Sequence, residues 1–442
     1  MKNTIAAIST ASGEGGIAVI RISGPDAVNI SRKVLSRQNF DEPAKMYLTS
    51  LLDDKGEIID RVLAVHFVKP KSYTGEDIVE IHTHGGIFTA RLCLELLIKN
   101  GARIAEPGEF TRRAFINGRI DLTQAEAVLS IIKSRSLEAL HAAARTLTGE
   151  LSRKTQKIHD EILALQANFE IQLDFPEGET LNNFDAQDEI RKIILELENL
   201  YSQCSAGLIL REGVRVVIAG SPNVGKSSLL NALLGRKRAI VTEIPGTTRD
   251  IIEESIIING VTIKLADTAG LREADDKIEA EGVKLALEAV NESDICLFVI
   301  DSSREITQEE MNYLRELESK IDKIIIVFSK SDLQRKIDDV NFNSPKVFIS
   351  SKNYTGLDEL KREIYKLAEV NATFKSGLNV SERQLEDLRE CLNSMLEAEK
   401  LIDDDITAGL LNSARLCLLR LLGIEAGDEL LDEMFSRFCV GK

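Results

Sequence analysis

No apolar run in the chain approaches the roughly 20 residues a membrane helix needs, and the start, Met1-Lys-Asn-Thr-Ile5, lacks the pattern of a secretory leader. These absences lead to the expectation of a cytoplasmic chain without membrane contact. Cysteines are few and badly spaced for chemistry in pairs: Cys93, Cys204, Cys296, Cys391, Cys417 and Cys439 lie far apart, so no zinc or redox pair can be drawn from them. Five stand in apolar contexts and are expected as inert core, whereas Cys439 lies three residues from the C-terminus and is a candidate functional thiol. Positive charge is in deficit, with 55 Lys and Arg against 71 Asp and Glu, a net of −16. Phosphate neutralisation supplies most non-specific nucleic-acid affinity, so the charge argues against a protein that coats nucleic acid by charge alone. Any RNA contact should be local, at clusters such as Arg112-Arg113 or Arg236-Lys-Arg238, or delegated to another protein; such clusters are otherwise ordinary surface.

What is present is a phosphate-binding motif. The run Gly220-Ser-Pro-Asn-Val-Gly-Lys226-Ser227 follows the apolar stretch Val214 to Ala219 and precedes a helical pattern, Leu229, Leu230, Ala232 and Leu233. Glycines at both ends let the backbone wrap so that N–H groups of Asn223, Val224 and Gly225 and the helix start at Ser228 cradle phosphate oxygens. Lys226 neutralises charge and the Ser227 hydroxyl reaches Mg²⁺. Downstream, Asp267-Thr268-Ala269-Gly270 closes the alternating strand Val261 to Ala266, where a carboxylate reaches the Mg²⁺ shell and a glycine amide senses a γ-phosphate. Between them Thr242-Glu243-Ile244-Pro245-Gly246-Thr247-Thr248 reads as a switch segment whose Thr248 completes the Mg²⁺ shell.

Guanine selection is read from Ser329-Lys330-Ser331-Asp332, which follows the apolar strand Lys323 to Phe328. The Asp332 carboxylate accepts both N1–H and N2–H₂ of guanine, an edge that adenine lacks. Ser350-Ser351-Lys352 would line the other side of the base. Ser329 stands where such motifs usually carry Asn, so fewer ties between this loop and the phosphate loop are expected.

Two catalytic parts are missing. The position after Gly270, where a Gln would orient the attacking water, is Leu271; the acidic stretch Glu273, Asp275, Asp276, Glu279 and Glu281 offers replacements or is simply a solvated helix start. No arginine finger is evident, and the Asn223 amide oxygen, with carbonyls of residues 242–247, can hold a monovalent cation in its place or merely stabilise its own turn.

At 442 residues and 43% hydrophobic, the chain suggests about three domains. Residues 1–118 mix short strands (Thr4 to Ile8, Ile17 to Ile22, Val62 to Val68, Ile78 to His82) with helices near Ala27 to Leu35 and Phe88 to Lys99, an α+β pattern. Residues 119–212 turn helical, residues 213–372 alternate strands and helices as doubly wound folds do, and residues 373–442 are helical again. Leu385, Leu388, Leu392, Met395 and Leu396 share one helical face, and neither helical block buries its stripe alone, so the two are expected to pack together around an inserted α/β P-loop module. In Glu80-Ile-His82-Thr-His84, alternation places the Glu and both His on one strand face; a polar strand face is the preferred reading and no zinc is assigned. Pro107 to Val128 reads as an irregular polar loop feeding a helix, either a site-bearing loop or an ordinary domain linker with a helix cap.

Gly15-Gly-Ile-Ala-Val-Ile-Arg21-Ile-Ser-Gly24, Ser72-Tyr-Thr-Gly-Glu-Asp77, Pro107 to Ala127, Gly246-Thr-Thr-Arg-Asp250, Asp267-Thr-Ala-Gly-Leu-Arg-Glu273 and Phe438-Cys-Val-Gly-Lys442 together resemble the MnmE (TrmE) family of tRNA-modifying GTPases over essentially the whole chain. The resemblance implies a folate-binding N-terminal domain that also dimerises, a helical domain in two sequence pieces, and an inserted Ras-like G domain. It implies GTP hydrolysis with Mg²⁺ on Ser227 and Thr248, K⁺ on Asn223, Thr242, Ile244 and Thr247, and Glu279 positioning the water. It also implies a 5-formyl- or 5,10-methylene-tetrahydrofolate held by Arg21, Glu80, Arg119 and Lys442, with Cys439 near the one-carbon chemistry; Arg119 stands where members often carry Lys. The implied partners are a second copy, the flavoprotein MnmG, and tRNA held mainly by that partner; the implied product is an aminomethyl-type group on C5 of wobble uridine. A ribosome-assembly switch GTPase is the alternative that the G domain alone would permit.

Overall fold

The computed structural model describes residues 3–37, 39–40, 42–174, 186–235, 254–267, 293–337, 342, 344–368, 374, 376–401, 404–424 and 427–441. They form two compact units: Met1–Leu129 with Thr146–Ile194 and Glu386–Lys442, and Ser130–Arg145 with Leu195–Leu385.

The first unit is built on a six-stranded sheet, order β3-β4-β5-β2-β1-β6, from β1 (Ile5–Ile8), β2 (Ile17–Ser23), β3 (Met46–Leu52), β4 (Ile58–Phe67), β5 (Ile78–His84) and β6 (Arg103–Ile104). All neighbours are antiparallel except β1 and β6. Period-2 alternation gives the sheet two different faces. Ala18, Ile20, Ile22, Val79 and Ile81 pack beneath α1 (Ala27–Val34) and α2 (Ile87–Lys99). The opposite face carries Ile5 and Ala7, covered by Phe110 of α3 (Glu109–Ile116).

Three expectations are corrected here. β3 and β6 were not foreseen: β3 reads MYLTSLL without clean alternation and leaves Met46 and Leu48 exposed at the sheet edge, and β6 is two residues long. The stretch after Pro107 is not an irregular loop but holds α3, whose hydrophobic pattern is hidden because its inner face buries Glu109 and Arg113 as an ion pair. A helix that buries charge carries no apolar stripe to read.

After α4 (Leu122–Lys133) and α5 (Leu137–Leu147), the long helix α6 (Glu150–Asp174) buries Leu151, Ile158, Ile162 and Leu165 and packs along α12 (Asp404–Leu422). The two helical blocks do meet, as their unsatisfied stripes required. In α11 (Glu382–Lys400) the fully buried stripe is Leu388, Cys391, Met395 and Ala398, with Leu392 and Leu396 only flanking it, a rotation of the expected face. The small α13 (Asp428–Ser436) places Phe435 against Leu122 and Ala125.

In the second unit, which α7 (Ala186–Glu212) enters at Leu195, that helix leads into β7 (Val214–Ala219), an inner strand of a sheet ordered β12-β11-β10-β7-β9-β8. Its members are β8 (Glu254–Ile258), β9 (Val261–Asp267), β10 (Ile295–Asp301), β11 (Ile324–Ser329) and β12 (Lys346–Phe348), all parallel except β8. β10 and β11 are buried along their whole length, the signature of strands covered on both faces. Cores lie on both sides, with α8 (Lys226–Leu234) and α10 (Leu357–Leu367) over one and α9 (Gln308–Glu318) over the other. Ala139 and Ala142 of α5 join the α8 side of this core.

Candidate functional site

The carboxyl ends of β7, β10 and β11 converge at the place where doubly wound sheets bind ligands. The chain leaves β7 through Gly220, whose φ of +142° and closeness to Val299 O, 2.4 Å from where a Cβ would stand, admit only glycine. Asn223 (φ +61°) and Gly225 (φ +101°) bend the loop so that α8 begins at Lys226. The buried Lys226 ammonium donates to Gly220 O at 2.9 Å and Ser221 O at 2.8 Å, and Ser227 and Ser228 are exposed at the helix start. Curled backbone, a helix N-terminus and a lysine make a cradle for phosphate oxygens.

The loop after β11 is fastened to this cradle through the short Ser329 side chain and through Lys330. Ser329 is buried, and its hydroxyl donates to Val224 O at 2.5 Å. Lys330, at φ +56°, donates to Asn223 O at 3.2 Å and to the Asp301 carboxylate at 2.6 Å. A short side chain succeeds because β11 itself brings Cβ of Ser329 close to the phosphate loop, 3.8 Å from the Cβ position of Gly225. Asp332 is exposed and accepts from the Ser350 hydroxyl at 2.7 Å. That bond first, then its own backbone N–H and the charge of Lys352, hold its carboxyl below the usual range, so it stays an acceptor at neutral pH. Ser350 is buried, Ser351 half-buried and Lys352 exposed.

Asp267 ends β9 opposite Ile218, one residue from Ala219 at the end of β7. The remaining elements of the motif set (Thr242 to Thr248, Thr268 to Gly270, Leu271 and the acidic stretch with Glu279) lie outside the described residues.

A second polar cluster occupies the α3-covered face of the first sheet. Arg21 and Glu80 are register partners on β2 and β5 and form an ion pair at 2.8 Å. The Arg21 guanidinium lies 5.6 Å from the ring centres of both Tyr73 and Phe110. Burial raises the Tyr73 phenol above its ordinary range, against the Thr111 bond at 2.9 Å and the Arg21 charge. Arg119 reaches the same 72–76 loop, donating to Ser72 O at 3.2 Å. Buried Arg113 anchors that loop through Glu76 at 2.9 Å. His82 Nε2 lies 3.4 Å from Glu80 and His84 Nδ1 2.6 Å from Asp60, so these side chains are taken up in hydrogen bonds along the strand face; no metal-type cluster occurs among the described residues. Tyr73 and Phe110 were missed as individual residues, although an aromatic inside the polar run Ser72 to Asp77 was a usable signal, and Arg113, expected with Arg112 at the surface, is instead buried between Glu76 and Glu109.

Phe438 is buried beside Phe435 and Leu122, and the Cys439 carbonyl accepts from Gly108 N at 3.5 Å, seating the tail on the start of α3. Cys439 is exposed, the other five cysteines are buried, and burial pushes Cys93 and Cys296 up to about 12. Native protein is therefore expected to react with one equivalent of a maleimide quickly and with the other five only after denaturation, as counted by intact mass. Two or more fast equivalents would contradict the packing around the helices. Lys442 lies outside the described residues.

A phosphate loop at the switch point of a doubly wound sheet, with a carboxylate-bearing loop fastened to it, defines a P-loop nucleotide-binding protein of the G-domain class. Residues 4–119 match the family model described as the GTP-binding protein TrmE N-terminus, and residues 122–439 match the MnmE helical domain. The tRNA modification GTPase MnmE of Carboxydothermus hydrogenoformans is 43% identical over 465 residues, covering 100% of both chains. That of Natranaerobius thermophilus is 41% identical over 462 residues with the same coverage. Among solved structures, the G domain of the T. maritima FeoB iron transporter is 32% identical over a match covering 35% of this chain and 98% of that one, with a TM-score of 0.28. The chain belongs to the MnmE family.

Proposed function

We propose that this protein hydrolyses GTP and couples hydrolysis to tRNA modification, installing an aminomethyl-type group on C5 of wobble uridine together with an MnmG-type flavoprotein. The observation that carries the reading is the pairing of a phosphate loop with a guanine-suited carboxylate, Asp332, inside a chain that matches MnmE relatives from end to end. The residues present suit the nucleotide: Lys226 and the α8 N-terminus meet phosphate charge, and Asp332 accepts from the guanine edge. Mg²⁺ would be held by Ser227 and Thr248, with the Asp267 and Gly270 element beside it, and K⁺ by Asn223, Thr242, Ile244 and Thr247. Glu279 would orient the water. The domain divisions at about residues 118, 212 and 372 belong to the same reading.

The first-unit cluster suits a flat heterocycle bearing both donors and acceptors: Glu80 accepts, Arg21 donates, and Tyr73 and Phe110 offer ring faces. A tetrahydrofolate bound there would supply one carbon. Arg119 and Lys442 would add positive charge for its anionic tail, and the exposed Cys439 thiol would sit on the same unit. The acidic net charge favours a partner that holds most of the tRNA, and the protein would work as a homodimer in the cytoplasm.

The test is nucleoside mass spectrometry of tRNA from cells with and without the protein. C5-aminomethyl-type uridines are expected to vanish in its absence, and to return with the wild type but not with Glu279→Ala. Unchanged uridines would overturn the tRNA reading and favour a ribosome-assembly switch.

A further inference from the structure

Asp301 ends β10 almost completely buried, and every bond it makes points to one task. One carboxylate oxygen takes the Lys330 ammonium at 2.6 Å; the other is clamped by the Ser303 N–H at 2.9 Å and the Ser303 hydroxyl at 2.7 Å. The clamp fixes the carboxylate's rotation, so it presents a set direction to the lysine. Beside it, the Ser302 N–H and hydroxyl both donate to Ser329 O, at 3.0 and 2.6 Å. Residues 301–303 thus hold Ser329 and Lys330, which in turn hold Val224 and Asn223 of the phosphate loop.

Lys330 needs this support. Its φ of +56° is a left-handed conformation that a non-glycine residue keeps only when its surroundings enforce it. Its side chain is long and more than a third exposed, and the ion pair to Asp301 gives it a single course, from the base loop across to residue 223. Burial raises the Asp301 carboxyl, but the Lys330 bond and the Ser303 bonds outweigh it and leave the group below the ordinary carboxylate range, charged at neutral pH.

We propose that Asp301 is a positioning residue for guanine-nucleotide binding, acting through Lys330 to hold the base loop and the phosphate loop at one spacing. This rests on the GTP reading above. Simple electrostatics gives the opposite expectation: a carboxylate beside a phosphate-binding loop repels the ligand, so its removal would tighten binding. The sign of the effect therefore decides.

The experiment is calorimetric titration of GDP, in the presence of Mg²⁺, into the full-length wild type and its Asp301→Asn, Lys330→Met, double and Ser303→Ala variants. Asp301→Asn is expected to weaken GDP about tenfold and to add nothing in the Lys330→Met background, because coupled residues are not additive. GTP and ITP, which lacks the N2 amino group, are expected to suffer by the same factor, since Asp332 is untouched. Ser303→Ala, which removes the hydroxyl half of the clamp but keeps the backbone N–H and the charge, is expected to weaken GDP about two- to threefold, and it carries the test should Asp301→Asn fail to fold. Unchanged or tighter GDP binding by Asp301→Asn, or by Ser303→Ala in its place, or additive losses in the double variant, would overturn the proposal. A wild type that binds no GDP would instead defeat the GTP reading.

Discussion

Asp332→Asn is expected to lower kcat/KM for GTP by roughly 10²- to 10⁴-fold, since two charge-assisted hydrogen bonds at about 1.5–3 kcal/mol each are lost. The same variant is expected to gain activity on xanthosine triphosphate. Xanthine carries a carbonyl where guanine carries its 2-amino group, so the wild-type carboxylate faces an acceptor while the asparagine amide can donate to it. Asp332 is exposed and its carboxylate is oriented by the Ser350 hydroxyl at 2.7 Å, so the change removes ligand contacts without opening a core. Steady-state hydrolysis with both nucleotides measures it. A variant that loses GTP and gains nothing on xanthosine triphosphate would show that the loop reads some other edge.

The second large effect concerns folding. Gly207 lies inside α7, where alanine ordinarily gains about 1 kcal/mol over glycine. Here a Cβ would stand 1.7 Å from Leu378 O and 2.3 Å from its carbonyl carbon. The segment cannot simply retreat: Leu378 N donates to Gln203 O at 3.0 Å, Arg211 donates to Val380 O at 3.0 Å, and Arg145 donates to Gly377 O. Gly207→Ala is therefore expected to destabilise its unit by about 3 kcal/mol, the overpacking strain plus part of a lost hydrogen bond. Gly409→Ala is the matched control, since nothing lies within 4 Å of its Cβ position on α12 and it is exposed. It is expected to stabilise by up to about 1 kcal/mol. Urea unfolding of both variants, followed by circular dichroism, gives opposite signs for one chemical change; equal signs would show that the chain around Leu378 yields.

Legibility followed the range of the interactions. Strands β7 and β11 announce themselves as apolar runs, and the phosphate loop as glycines at fixed spacing between a strand and a helix. Both are local properties of the backbone, and the long amphipathic helices are another. Where burial involved charge, the pattern failed: α3 hides Glu109 and Arg113 inside and was read as a loop. The length of the Ser329 side chain alone does not show that it reaches Val224 O; the strand that carries it does.

The order of the sequence by itself thus determined the doubly wound module, its phosphate loop, the carboxylate at Asp332 and the need of the two helical blocks for each other. Only the tertiary structure decided that Ser329 meets Val224, 105 residues away, that Asp301 anchors Lys330, that Arg21 faces Glu80 between two aromatic rings, and that Ala139 and Ala142 of α5 complete the core of the second sheet. The reason is that secondary structure and motif loops are set by neighbours along the chain, whereas each of these contacts joins residues whose separation is closed only by strand order and register.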